Sequence, residues 1–160
     1  MSDPVVQRSR ELFDGGFYCA ESVLMALAEA QGIHDDAIPR IATGFCSGLS
    51  RTCGLCGALS GAIMALGLAT GRSTPSTPVD QCYAATQKLL SQFEQRFGST
   101  NCRGLTGCDL GTADGQQAFR ANQVIERCQG YVEGAAEIAL AILRKNAQPA
   151  GQGQPRQESA

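Results

Sequence analysis

Seventeen residues, Phe45-Cys46-Ser47-Gly48-Leu49-Ser50-Arg51-Thr52-Cys53-Gly54-Leu55-Cys56-Gly57-Ala58-Leu59-Ser60-Gly61, set three cysteines among glycines. They run straight into the apolar segment Ala62-Ile63-Met64-Ala65-Leu66-Gly67-Leu68-Ala69. The apolar segment suits a buried helix of a few turns and is too short to span a bilayer. Glycine permits sharp turns and close approach of other atoms to the backbone. The pattern therefore predicts a Gly/Cys loop that feeds the N-terminus of a core helix, with Cys56 at or near the first turn. Unpaired N–H groups and the helix dipole at such an end favour an anionic sulfur. The thiolate is the form of cysteine that attacks disulfides and binds metals.

The chain holds 8 cysteines and 1 histidine in 160 residues, so a metal site would be built mainly from sulfur. Met1-Ser2-Asp3-Pro4-Val5-Val6-Gln7-Arg8 lacks the basic-then-apolar order of a signal peptide, and the reducing cytoplasm is the expected compartment. There, many cysteines point to metal or redox chemistry rather than a disulfide framework. A formal net charge of −2 without a basic run speaks against nucleic acid and against an anionic membrane surface. The expected partner is a redox protein of unspecified identity, and a homodimer is compatible with the chain.

The periodicity predicts a single all-α domain, a bundle of about six or seven helices over residues 1–147 with two Gly/Cys-rich loops. Val5 to Asp14 forms a short helix that Gly15-Gly16 stops. Cys19 opens the next, with Ala20, Val23, Leu24, Leu27 and Ala28 on one face and Gly32 after its end. Asp35-Asp36 caps a third, with Ile38, Ile41 and Ala42 on its buried side. Ser73 to Pro78 is a surface connection. Val79 to Phe97 is the longest helix, with Cys82 on its core face. Asn101 to Gly111 is the second Gly/Cys loop, containing Cys102 and Cys108 and one helical turn after Cys102. A short helix from Asp114 to Asn122 follows, with Asp109 and Asp114 as turn and cap residues. Arg127-Cys128 opens the last helix. The Gly/Gln/Pro-rich stretch 148–160 has no core-forming residues and is expected to be disordered. Cys19, Cys56, Cys102 and Cys128 each fall near a predicted helix N-terminus. If those ends converge, they form a place to hold several thiolates.

Gly16-Phe17-Tyr18-Cys19-Ala20-Glu21-Ser22-Val23-Leu24, Cys56-Gly57-Ala58-Leu59-Ser60-Gly61, Phe97 to Gly107 around Cys102, and Arg127-Cys128-Gln129-Gly130-Tyr131-Val132 resemble, in order, the redox-active C_GCAxxG_C_C family. The resemblance spans roughly Phe13 to Leu143. It maps the family's cysteines onto Cys19, Cys56, Cys102 and Cys128 and implies a small redox protein. A related domain of split-Soret cytochromes is associated with an iron–sulfur centre. Cys46, Cys53, Cys82 and Cys108 are additional to that pattern.

Three uses of these sulfurs follow. Cys19, Cys56, Cys102 and Cys128 would ligate an iron–sulfur cluster for electron transfer, with Cys46, Cys53 and Cys108 as auxiliary ligands. Alternatively, Cys53 and Cys56 form a C-x-x-C dithiol with Cys53 as nucleophile, and Cys102 or Cys108 belongs to a second pair. Without a βαβ pattern, that dithiol would not sit in a thioredoxin fold. Third, the thiols would bind zinc or another soft metal, although only Cys53-Gly54-Leu55-Cys56 has the close spacing of structural zinc sites. Arg51 and Arg103 flank the loops and would lower nearby thiol pKa values. His34 lies in a polar connection and is read as solvated. No phosphate loop, Ser/His/Asp set or acid–base carboxylate pair is present, so whether the chain is an enzyme stays open.

Overall fold

A computed structural model describes residues 1–148, so the stretch expected to be disordered lies, from residue 149, outside the described residues. Those residues form eight right-handed α-helices and no strand. They are α1 (Pro4–Asp14), α2 (Cys19–Ala30), α3 (Ala37–Ala42), α4 (Gly57–Thr70), α5 (Asp80–Phe97), α6 (Cys102–Thr106), α7 (Ala113–Ala121) and α8 (Ile125–Ala147). The all-α expectation holds. No helix among the described residues is long and apolar enough to cross a membrane.

α4 is the axis. It is apolar on every side, and Ala58, Leu59, Ala62, Ala65 and Leu66 are each fully buried, as expected of a helix surrounded by protein. α2, α5 and α8 pack around it, and α1 lies across α2 and α8. The core is built from Ala, Leu, Val and Ile, supplemented by an aromatic cluster of Phe93, Phe97 and Tyr131. Its Phe93–Phe97 and Phe97–Tyr131 ring centroids are 4.6 and 5.2 Å apart.

The glycines of Cys56-Gly57-Ala58-Leu59-Ser60-Gly61 explain how α2 comes so close to α4. A Cβ at Gly61 would collide with the carbonyl oxygen of Ala20 and lie 3.1 Å from its Cα; one at Gly57 would collide with Cys19 Sγ. Both helices therefore meet backbone to backbone at the end where α2 begins.

Several expectations need correction. There are eight helices among the described residues rather than six or seven, and the longest is α8 with 23 residues rather than α5 with 18, because α8 begins at Ile125, ahead of Arg127-Cys128, and continues to Ala147. Ile41 is 53% exposed, because α3 is only six residues long and turns Ile38 and Ala42, not Ile41, toward the core. Cys82 is half-buried on α5 and outside the core, which that helix reaches through Ala85, Leu89 and Phe93. The cap of α7 is Thr112, whose hydroxyl accepts from Gly115 N–H at 3.0 Å, while Asp114 sits within the first turn. The one turn expected after Cys102 is a short helix of its own, capped by the Asn101 side chain on Arg103 and Gly104 N–H.

The first Gly/Cys loop holds a conformation that residue pattern does not announce. Ser47, Gly48, Leu49, Ser50 and Arg51 all have φ between 55° and 68°, and Cys53 follows at 62°. This is a left-handed turn made mostly of non-glycine residues, at a cost of about 1–2 kcal/mol per L-residue. Local bonds hold it: Ser50 Oγ donates to Gly44 O at 2.8 Å, Thr52 Oγ1 to Leu49 O at 2.8 Å and Gly54 N–H to Gly48 O at 3.0 Å.

Candidate functional site

The two Gly/Cys loops are fastened side by side. Leu55 and Asn101 form an isolated antiparallel bridge, flanked by Cys56 N–H to Thr100 O at 2.8 Å and Cys102 N–H to Gly54 O at 2.9 Å. The Asn101 amide adds a 2.6 Å bond to Cys53 O. Gly48, inside the left-handed turn, packs directly against the Cys102 side chain. Cys56, the residue before α4, and Cys102, the first residue of α6, are thereby drawn together. On the far side, α8 is pinned to α6: Tyr131 OH donates to Leu105 O at 3.0 Å and the Arg127 guanidinium to Thr106 O at 3.1 Å. That sets Cys128, in the first turn of α8, opposite the loops. Cys19 begins α2, whose end is fixed by Glu21: one carboxylate oxygen accepts from Tyr18 N–H at 2.8 Å and the other from Thr43 Oγ1 at 2.7 Å.

Cys19, Cys56, Cys102 and Cys128 all line one cavity of about 230 Å³. Its remaining wall is largely apolar, with Phe13, Leu105, Leu110, Phe119, Ile125 and Tyr131, and two cations, Arg51 and Arg120, border it. The other cysteines do not line it. Cys46 is buried at the start of α2 beside Cys19. Cys53 turns its thiol to Asp109 Oδ1 at 3.3 Å, and Cys108 is buried with its thiol toward Thr106 O at 3.6 Å. The C-x-x-C pair is thus divided, one sulfur in the cavity and one on Asp109. His34 is exposed as expected. Arg103 stands 3.9 Å from Asp109, and Arg51 borders the cavity.

Burial, not helix polarity, governs the charge state of Cys56, Cys102 and Cys128. The N–H groups of Ala58 and Leu59 do reach Cys56, but burial outweighs them and pushes its pKa up to about 12. Burial likewise lifts Cys128 to about 12, with Cys102 adding to it, and raises Cys102 against the opposing bond from Thr106. Cys53 is raised chiefly by its bond to the Asp109 carboxylate, which outweighs the lowering expected of Arg103. The low-pKa thiolate expected at Cys56 is therefore not found: burial disfavours anionic sulfur unless a cation accompanies it.

The donor chemistry of the cavity is four thiols, suited to soft metals. Among the described residues, no three His, Cys, Asp or Glu side chains converge tightly enough to grip a single ion. The sulfurs instead stand around a space. Among the aromatic and aliphatic wall residues, Leu105 and Tyr131 lie within the stretches around Cys102 and Cys128, and the others carry no separate sequence signal. Arg120 carried none.

The family model "Putative redox-active protein (C_GCAxxG_C_C)" matches residues 17–142. An uncharacterised protein of Archaeoglobus fulgidus is 31% identical over 148 residues, covering 86% of this chain and 92% of its own. No solved structure matches the chain.

Proposed function

The chain belongs to the C_GCAxxG_C_C family of redox-active proteins, and from that premise we propose that it transfers electrons through an iron–sulfur cluster held by Cys19, Cys56, Cys102 and Cys128. The observation that carries the reading is the meeting of these four thiols, from four separate elements, on one apolar-walled cavity. Such a cluster supplies reversible one-electron oxidation and reduction. Four thiols spaced around a cavity fit a group of several atoms better than one zinc ion, which draws its sulfurs to about 2.3 Å.

The chain's own residues contribute in identifiable ways. The four thiols surrender their protons when they become ligands, as deprotonation accompanies metal binding. Ala58 and Leu59 N–H groups, directed at the Cys56 sulfur, then stabilise its charge. Phe119, Leu110, Ile125 and Tyr131 give the cavity an apolar wall. Arg51 and Arg120 offset negative charge at the cavity's border and favour the reduced state.

Anaerobic reconstitution with ferrous iron and sulfide, followed by iron and acid-labile sulfide analysis, tests the reading. The expected product is a coloured protein with comparable iron and sulfide that dithionite bleaches. A colourless protein with stoichiometric zinc, or one that takes up neither metal, overturns it.

A further inference from the structure

Cys46 is not one of the family's four cysteines and does not line the cavity, yet it is 4% exposed and placed with care. Its backbone is extended, at φ −67° and ψ 157°, immediately before the left-handed turn. Its thiol points weakly toward Ala42 O at 3.7 Å, and its neighbours are the N–H groups of Ala20 and Glu21 and the Cys19 side chain. Gly57 packs against both residues: a methyl there would strike Cys19 Sγ and stand 3.2 Å from Cys46 Cα. Cys19 thus has two faces, one on the cavity and one on Cys46.

We propose that Cys19 and Cys46 close a reversible disulfide, a two-electron redox site beside the cavity. The oxidant is a small-molecule disulfide. Cys19, the less buried of the two, loses its proton to solvent and attacks one sulfur of that disulfide. One S–S bond breaks, a mixed disulfide forms and one thiol leaves with a proton. Cys19 and burial hold the Cys46 thiol protonated, Cys19 the larger cause; once Cys19 is tied up in the mixed disulfide, Cys46 gives its proton to the departing small thiol as it attacks the Cys19 sulfur, and the intramolecular S–S bond forms. Two protein thiols are oxidised and one small disulfide is reduced to two thiols, with two electrons and two protons exchanged. A further consequence rests on the ligand reading above: Cys19 cannot serve the cluster and the disulfide together, so the two states exclude each other.

The test needs no iron and so stands apart from the cluster reading. Metal-free protein is incubated anaerobically with oxidised glutathione, alkylated, cut with trypsin and mapped by non-reducing mass spectrometry. Cleavage after Arg10, Arg40 and Arg51 places Cys19 alone in residues 11–40 and Cys46 alone in residues 41–51. The expected product is these two peptides joined, two hydrogens lighter than their sum. In Cys46→Ser the joined pair disappears and residues 11–40 carry glutathione. A still-folded protein, by thermal melting, in which both peptides are alkylated singly, or in which Cys19 joins another cysteine, overturns the proposal. With reconstituted protein the joined pair should fall at least tenfold; an unchanged yield overturns the mutual exclusion while leaving the disulfide standing.

Discussion

Gly61→Ala tests whether backbone contact between α2 and α4 is what positions the site. Gly61 is buried, and an added Cβ would collide with the Ala20 carbonyl oxygen, with the Ala20 carbon and Cα both at 3.1 Å. Restoring ordinary contact requires α2 to retreat by about an ångström. No flexible side chain can yield, because the obstruction is backbone and Ala20 is fully buried. Overpacking of this kind costs about 1–3 kcal/mol, and the obstruction places it at the upper end. Alanine's helix preference over glycine returns up to about 1 kcal/mol. The net expectation is a loss of about 2 kcal/mol, or about 4–8 °C in Tm for a domain of this size. Urea unfolding of metal-free protein, with thermal melting beside it, measures both. Cys19 adjoins Ala20, so the variant should also bind less iron per chain after reconstitution. A Gly61→Ala protein as stable as the parent or more so would refute the close-approach reasoning.

Three further expectations follow from the surroundings of individual thiols. Burial raises Cys56 from 9.0 to about 12; a thiol raised by folding contributes stability that is intact below the unfolded value and disappears as pH climbs toward the folded one. For Cys56 that is about 4 kcal/mol at most, so the urea midpoint of metal-free protein should fall steeply above about pH 9, less so in Cys56→Ser, and a flat profile would contradict it. Asp109 holds up the pKa of Cys53, so Asp109→Asn should give more thiolate at mildly alkaline pH and several-fold faster alkylation of Cys53, read by peptide mapping; an unchanged or slower rate counts against that contact. Cys82 is half-buried and outside the core, so Cys82→Ser should leave stability within about 0.5 kcal/mol and iron uptake intact; a large loss of either would contradict its placement.

Period and punctuation carried most of the fold. Apolar runs at helical spacing marked α2, α4 and α8, and Gly15-Gly16 and Gly98 marked ends, because those features act locally. The expected convergence of Cys19, Cys56, Cys102 and Cys128 rests on their shared place at helix starts and on the family pattern, and all four line one cavity. What joins them is less visible: the Leu55–Asn101 bridge is a pairing between residues far apart in sequence, and nothing in either loop alone specifies it. The left-handed turn at Ser47 to Arg51 escaped for the opposite reason. Local preference argues against it, and only the surrounding contacts enforce it. The charge state of Cys56 is not legible in sequence because helix-end polarity is a local feature, whereas the burial of its sulfur depends on tertiary packing. Ile41 and Cys82 show the limit of face assignment on a short helix and at the start of a long one.

Reconstituting Cys19→Ser, Cys56→Ser, Cys102→Ser and Cys128→Ser beside Cys82→Ser, with electron paramagnetic resonance of the dithionite-reduced samples, addresses the ligand assignment most directly. The parent and Cys82→Ser should give the same low-temperature signal of a reduced iron–sulfur centre. Each of the four cavity variants should melt cooperatively yet lose or alter that signal. A parent protein without any such signal, or four cavity variants that keep it unchanged, would contradict the assignment.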